Sequence, residues 1–376
     1  MSLIIKTIFI ISLLSLASSL TESSITTIYL AGDSTVTTYL DDQYFGTWGQ
    51  YLNLFLDQTK VNVVDCAESG RSARSFINEG RLFEMEGNTN KFKWNNGKPI
   101  SATIKSGDYL FIQFAHNDDE AKGYANYADR TELLGEPDEN GIYPVIAGKK
   151  VSTTILPDEY VAQATEAEQK AKLAVLKTYG KEYYTFSGTY KWFLKQYIDL
   201  ARSKGAIPVL VTPVSRVRFD SKGKIKYDGN FGNTHAVAMR QLAEEEDCLL
   251  IENFLSTVQL LETATSTYAN YIMSIQPSSL RGSWPSGFDS TINNESAGFT
   301  SNDGTHYNKF GGFLTAGKVI ENILELENEV HKNGERFNFI DAIKTKPSKV
   351  IVPSTLIPGD ILVKLYALFT TVDLSP

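Results

Sequence analysis

Cysteine is nearly absent from this chain of 376 residues, which holds only Cys66 and Cys248. So few cysteines exclude a disulfide-stapled scaffold. The two cysteines and four histidines form no His-Glu-x-x-His or Cys-x-x-Cys pattern, so we expect no metal site. Basic residues are in deficit as well, because 36 Lys and Arg face 44 Asp and Glu, for a net charge of −8. Without a basic run, this balance excludes nucleic acid as a partner.

Long hydrophobic runs are equally scarce. The run near the start, Thr7–Leu16, is too short for a membrane span. It follows Lys6 and precedes the small residues Ala17-Ser18-Ser19, a pattern typical of a signal peptide over residues 1–20. The glycosylation sequon at Asn294 fits the same route. We therefore expect a secreted, extracellular protein that has no stable association with a membrane.

Five short and continuous apolar runs indicate strands that are buried on both faces of a parallel sheet. They are Ile28–Leu30, Val61–Val64, Tyr109–Phe114, Ile207–Val211 and Leu249–Ile251. Helical patterns occur at Glu159–Lys177, Thr189–Lys204, Thr234–Asp247 and Lys309–Val330. This alternation predicts a three-layer, flavodoxin-like α/β fold with helices on both faces of the sheet. We take the strand order as 2-1-3-4-5.

Most of the chain fits a single domain, which we place at residues 21–337. An insertion at about 118–184 separates the third strand from the helix that follows it, and the tail at 338–376 has no assigned role. Cys66 follows strand 2 and Cys248 precedes strand 5. These strands are the two edges of the sheet, about 19 Å apart. A disulfide needs Cα atoms within about 7 Å, so we predict two unpaired cysteines.

Polar residues follow three of the predicted strands at the edge where ligands of parallel sheets collect. Ser34 follows strand 1, Gly70 follows strand 2 and Asn117 follows strand 3. The Ser34 and Gly70 N–H groups and the Asn117 amide would form an oxyanion hole for a tetrahedral ester intermediate. Further along, Asp303 and His306 offer the carboxylate and the imidazole that make a serine hydroxyl nucleophilic.

Several sequence blocks, in order, resemble those of the SGNH (GDSL) hydrolases, and more narrowly their rhamnogalacturonan acetylesterase branch. The blocks are Ala31-Gly32-Asp33-Ser34-Thr35-Val36, Ser69-Gly70-Arg71-Ser72-Ala73-Arg74-Ser75, Gln113-Phe114-Ala115-His116-Asn117-Asp118, Thr212-Pro213-Val214 and Asp303-Gly304-Thr305-His306. The resemblance implies a catalytic triad of Ser34, Asp303 and His306. It also implies an oxyanion hole of Ser34, Gly70 and Asn117, and the removal of acetyl groups from pectic sugars.

The third block departs from the family pattern at one position, and two of its other residues lead to structural expectations. Ala115 stands where the family usually has glycine, and its methyl group would tighten or tilt the loop that carries Asn117. We expect a modest effect, because Asn117 itself is kept. We expect His116 to have a structural role or to support the residues that contact the substrate, rather than to take part in catalysis. Asp118, with Asp119 and Glu120, lacks the alternating spacing of a calcium loop, so we expect a solvated loop face there.

Together these patterns predict a secreted, monomeric serine esterase that deacetylates a cell-wall polysaccharide or oligosaccharide, with pectic rhamnogalacturonan as the first candidate. It should need no metal or organic cofactor, and its activity should fall at acidic pH as His306 becomes protonated. Two alternatives remain. The same triad would also serve acetyl-xylan, a lipid or a thioester, and the fold would also suit a non-catalytic surface protein that binds carbohydrate.

Overall fold

The computed structural model describes residues 25–39, 45–85, 103–118, 139, 189–274, 304–351, 353, 355 and 357–374. Some expectations lie outside these residues, namely the signal peptide at 1–20, nearly all of the insertion with its helix at 159–177, the sequon at Asn294, and Asp303. Within the described ranges, no helix is both long enough and apolar enough to cross a membrane.

A five-stranded sheet forms the centre of the molecule. Its strands are β1 (Thr26–Gly32), β2 (Val61–Asp65), β3 (Tyr109–Gln113), β4 (Ile207–Val211) and β5 (Leu249–Ile251). They lie in the order β2-β1-β3-β4-β5, and every neighbouring pair is parallel. The register pairs Leu30 with Asp65 and Gly32 with Gln113, so β1, β2 and β3 end at the same edge. The predicted strands and their order are confirmed.

Helices connect and cover the strands. Those described are α1 (Trp48–Tyr51), α2 (Ala73–Asn78), α3 (Arg81–Met85), α4 (Tyr190–Ser203), α5 (His235–Glu246), α6 (Asn253–Tyr268), α7 (Lys309–Glu325) and α8 (Gly359–Tyr366). The predictions for α4 and α5 are confirmed to within a residue at each end. Helix α7 ends five residues before the predicted Val330, because residues 327–330 are exposed and bury nothing against the sheet.

Alternate strand residues face opposite sides of the sheet and meet different helices. Leu30 and Phe111 pack in a cluster with residues of α1, α6 and α7. Ala31 and Ile112 pack in a second cluster with residues of α2, α4 and α5. Helices therefore cover both faces of the sheet, which confirms the three-layer α/β architecture.

The described residues of the C-terminal segment, which lie between 338 and 374, pack on the same face as α7. The Phe339 ring contacts the Tyr109 ring edge-on, with centroids 5.0 Å apart. Glu321 on α7 accepts hydrogen bonds from the backbone N–H groups of Thr370 (2.6 Å) and Thr371 (3.0 Å). This segment, to which the sequence analysis assigned no role, thus helps to cover α7 and the start of β3.

Both cysteines are buried and unpaired, as predicted. Cys66 directly follows β2, and Cys248 directly precedes β5. Burial raises the pKa of both thiols, that of Cys248 to about 12. The thiols therefore stay protonated at neutral pH and are poor nucleophiles.

Candidate active site

Ser34 lies in a tight turn directly after β1. The N–H groups of Val36 and Thr37 both donate to the Asp33 carbonyl at 3.1 Å, which closes the turn. Only glycine fits at position 32, because an added Cβ would lie 2.6 Å from Val36 Cγ2. Ser34 is 9% exposed. The turn thus holds the serine at the carboxyl edge of the sheet, as the sequence predicted.

The Ser34 hydroxyl contacts the imidazole of His306. Ser34 Oγ and His306 Nε2 lie 2.8 Å apart, although 272 residues separate them in the chain. An unprotonated Nε2 at this distance can accept the serine proton. The structure therefore brings together two of the three residues predicted for the triad. The third, Asp303, lies outside the described residues, and its role stays a prediction.

Backbone hydrogen bonds hold the loop that carries His306. Its carbonyl accepts from the Ser274 N–H at 2.8 Å, and the Tyr307 carbonyl accepts from the Gly46 N–H at 3.0 Å. The next residue, Asn308, caps α7 with its side chain. His306 is thus held between the start of a long helix and two neighbouring segments, which limits the positions its ring can take.

The three predicted oxyanion donors also lie at this edge. Gly70 has a φ of +80°, a conformation that favours glycine. One hydrogen of Asn117 Nδ2 is donated to the Arg71 carbonyl at 3.1 Å, which leaves the other for a ligand. Within the described residues, neither the Ser34 N–H nor the Gly70 N–H donates to any acceptor. The donors suit an oxyanion, and their catalytic role remains a prediction.

Two aromatic side chains that the sequence did not single out border the Ser34–His306 pair. The Tyr39 hydroxyl donates to the Ser34 carbonyl at 2.8 Å and lies 3.4 Å from Ser69 Oγ. The Tyr39 and Phe45 ring centroids are 5.1 Å apart, and the Phe45 ring is 5.1 Å from that of His306. Both rings are partly exposed. Their nearness to Ser34 in the chain was the only signal available.

The carboxylate of Asp33 joins the serine turn to the third block. It accepts from the Thr35 N–H (2.8 Å), the Thr35 hydroxyl (2.7 Å) and the His116 N–H (3.3 Å). Burial raises the pKa of the Asp33 carboxyl, but the adjacent His116 ring and the Thr35 hydrogen bonds outweigh burial and leave this pKa below its usual value. His116 is itself buried and packs edge-on against Phe231, in keeping with a structural part.

The expectation that Asp118 faces solvent is wrong. Asp118 is 1% exposed, and both of its carboxylate oxygens accept from the Ala73 N–H, at 3.0 and 3.2 Å. Ala73 is the first residue of α2, whose N–H groups lack partners within the helix and attract negative charge. Three acidic residues in a row suggested a solvated loop, but the first of them binds a helix N-terminus. Asp119 and Glu120 lie outside the described residues.

Two proteins of Bacillus subtilis resemble the chain over much of its length. It is 32% identical over 228 residues to the probable rhamnogalacturonan acetylesterase YesY, which covers 60% of this chain and 69% of that protein. It is 26% identical over 302 residues to the rhamnogalacturonan acetylesterase RhgT, which covers 80% of this chain and 90% of that protein. No protein-family model matches the chain. The crystal structure of B. subtilis protein YxiM matches with a TM-score of 0.47 and 19% identity, over 80% of this chain and 57% of that one.

A parallel sheet in the order 2-1-3-4-5, with a Gly-Asp-Ser turn after its first strand, is the architecture of an SGNH hydrolase. The two B. subtilis relatives narrow this class further. The chain belongs to the rhamnogalacturonan acetylesterase family of SGNH hydrolases. It is therefore a carboxylic ester hydrolase, as the sequence blocks predicted.

Proposed function

We propose that this protein is a secreted serine esterase that removes acetyl groups from acetylated cell-wall polysaccharide, with pectic rhamnogalacturonan as the preferred substrate. The contact of 2.8 Å between Ser34 Oγ and His306 Nε2 carries the proposal, because it is the geometry of an activated serine. The names of YesY and RhgT support the acetylated pectic substrate. The signal-peptide pattern at residues 1–20 supports secretion.

In the first half of the reaction, His306 Nε2 accepts the Ser34 proton while Ser34 Oγ attacks the acetyl carbonyl carbon. The carbonyl oxygen gains negative charge, which the Ser34 N–H, the Gly70 N–H and the Asn117 amide stabilise. The tetrahedral intermediate then collapses. Its bond to the sugar oxygen breaks, His306 gives its proton to that oxygen, and the deacetylated sugar leaves an acetyl group on Ser34.

In the second half, water replaces the sugar. His306 accepts a proton from the water, whose oxygen attacks the acetyl carbon on Ser34. The same three donors stabilise the second oxyanion. Collapse of this intermediate breaks the bond to Ser34 Oγ, returns the proton to the serine and releases acetate. Asp303 would orient the His306 ring and stabilise its charged form during both halves.

The proposal is tested by acetate release from acetylated rhamnogalacturonan, acetylated xylan and p-nitrophenyl acetate. The variants are Ser34→Ala and, as a matched control, Ser203→Ala. Ser203 ends α4, and its hydroxyl donates to the Leu200 carbonyl at 2.7 Å. That end of α4 lies near the start of β3, at the opposite edge of the sheet from Ser34.

We expect acetate from rhamnogalacturonan at a higher kcat/KM than from xylan, abolished by Ser34→Ala and kept by Ser203→Ala. If the enzyme released acetate only from acetylated xylan or p-nitrophenyl acetate, the result would agree with the mechanism and would reject the pectic substrate. Full activity in Ser34→Ala would reject the mechanism. A wild type that binds the polymer and releases no acetate from any ester would point to a carbohydrate-binding protein.

A further inference from the structure

The peptide bond between Ser69 and Gly70 carries one of the proposed oxyanion donors, the Gly70 N–H. Its carbonyl oxygen, Ser69 O, accepts a hydrogen bond of 2.8 Å from Nη1 of Arg71. In a trans peptide the C=O and N–H bonds point in opposite directions. A donor fixed on Ser69 O therefore also fixes the direction of the Gly70 N–H, which points away from the guanidinium.

The guanidinium of Arg71 is itself held firmly. Its Nε lies 3.1 and 3.0 Å from the two carboxylate oxygens of Glu79. Arg81 also donates to Glu79 (2.6 Å) and to Glu68 (3.3 Å). The Glu68 N–H in turn donates to the Gly32 carbonyl at 3.0 Å, directly before the serine turn. One further cation, Arg81, and two anions, Glu68 and Glu79, thus hold the planar guanidinium of Arg71 against one carbonyl.

We infer that Arg71 is a positioning residue of the oxyanion hole, an assignment that rests on the proposed function and extends it. Its cationic donor aims the Ser69–Gly70 peptide so that the Gly70 N–H points at the acyl oxygen. The charge also polarises that peptide, which makes its N–H a stronger donor. The Arg71 carbonyl accepts from Asn117 Nδ2, so the same residue orients two of the three donors.

Such a device acts mainly on the transition state. The acyl oxygen of the substrate is neutral, whereas that of the tetrahedral intermediate is an anion, so better-aimed donors stabilise the intermediate more than the bound substrate. Loss of the Arg71 side chain should therefore lower kcat and leave KM little changed. Loss of a residue that only stabilised the fold would instead lower thermal stability and would not selectively weaken the binding of an anionic ligand.

The test compares Arg71→Gln, Arg71→Lys and Arg240→Gln with the wild type. Arg240 is a matched control because its guanidinium also contacts both oxygens of one carboxylate, that of Glu252, and its side chain is 32% exposed against 27% for Arg71. Hydrolysis of p-nitrophenyl acetate gives kcat and KM without any contact to sugar. Phenylboronic acid forms an anionic tetrahedral adduct on serine, so its inhibition constant measures how well the oxyanion hole stabilises an anion. Thermal unfolding reports on the fold.

We expect Arg71→Gln to lower kcat about 10- to 100-fold, to weaken the boronic acid by a similar factor and to change KM by less than about threefold. Arg71→Lys should recover part of the loss, because a single ammonium cannot bond both Glu79 and Ser69 as the guanidinium does. Arg240→Gln should match the wild type in all three readouts.

An unchanged kcat in Arg71→Gln, or a loss that follows only thermal stability while the boronic acid binds as before, would overturn the inference. The assay also separates this inference from the proposed function. Activity on p-nitrophenyl acetate without activity on any polysaccharide rejects the substrate and leaves the Arg71 result valid. Unchanged activity in Ser34→Ala rejects the site and the inference together.

Discussion

Substitution of Asp33 by asparagine removes the charge that joins the serine turn to the third sequence block. In the wild type, Asp33 Oδ1 accepts from the Thr35 N–H and hydroxyl, and Oδ2 accepts from the His116 N–H. Asparagine can keep the first pair through its oxygen. Its NH₂ group then faces the His116 N–H at about 3.3 Å, so two donors oppose each other in a buried site.

The cost can be estimated from this geometry. A hydrogen bond to a buried charged group contributes about 1.5 to 3 kcal/mol, and an unsatisfied donor adds to the loss, so we expect Asp33→Asn to lower the free energy of unfolding by about 2 to 4 kcal/mol at pH 7. The pKa of the Asp33 carboxyl is lowered in the folded protein. Its stabilising effect is therefore complete above about pH 4 and is lost as the pH falls through the lowered pKa.

The assay is urea unfolding followed by tryptophan fluorescence, at pH 7 and at pH 3.5 and below. Trp48 is a suitable reporter because it is buried and donates to Gln113 Oε1 at 2.9 Å. Asp57→Asn is the matched control, because Asp57 accepts from the Thr59 N–H and hydroxyl in the same way at an exposed site, and it should change stability far less. A wild-type-like Asp33→Asn at pH 7, or a difference that stays constant down to pH 3, would refute this reasoning.

Three further changes have defined outcomes. Burial raises the pKa of the Asp65 carboxyl to about 7, so ionisation of this group lowers the free energy of unfolding of the wild type as the pH rises from about 4 to 7. Asp65→Asn should therefore have a free energy of unfolding about 1 to 3 kcal/mol above that of the wild type in urea at pH 8. An equal difference at pH 4 would contradict this. Gly311→Ala would place a Cβ 1.9 Å from the Ile272 carbonyl and should cost about 1 to 3 kcal/mol, whereas Gly359→Ala, with open space around it, should leave the melting temperature unchanged or higher. Phe45→Ala should raise KM for acetylated rhamnogalacturonan about tenfold if the ring contacts the sugar, and should change turnover of p-nitrophenyl acetate far less. An equal loss of activity on both substrates would show that the ring does not contact the sugar.

The strands were predictable because burial on both faces leaves a continuous apolar run. Ile207–Val211 shows this most clearly, since all five residues are buried and the strand has the predicted bounds. Helix α6 was missed, since Thr257, Thr263, Thr265 and Thr267 weaken its helical pattern and Thr265 breaks it with a φ of +63°. The C-terminal segment was unpredictable, because its apolar residues are scattered and find partners only in tertiary contacts with α7 and β3.

The residues of the candidate site also differ in how far they could be predicted from the sequence. The positions of Ser34, Gly70, Asn117 and His306 at one edge of the sheet could be predicted from the sequence, because each lies within a few residues of the end of a predicted strand or the start of a predicted helix. The importance of Arg71 depends on which way one peptide bond faces, and no sequence pattern encodes that direction. Asp118 was misread for a similar reason, since its burial depends on a helix that starts 45 residues earlier.

The covalent labelling of Ser34 tests the central claim most directly. Diethyl p-nitrophenyl phosphate transfers a diethylphosphoryl group to an activated serine, with loss of p-nitrophenolate and transfer of the serine proton to the histidine. Intact mass and peptide mapping of the wild type, Ser34→Ala, His306→Ala and Ser203→Ala would locate the group. We predict one phosphoryl group, on Ser34, in the wild type and in Ser203→Ala, none in Ser34→Ala, and much slower labelling in His306→Ala. A label on another residue, or equal labelling of Ser34→Ala, would contradict the account.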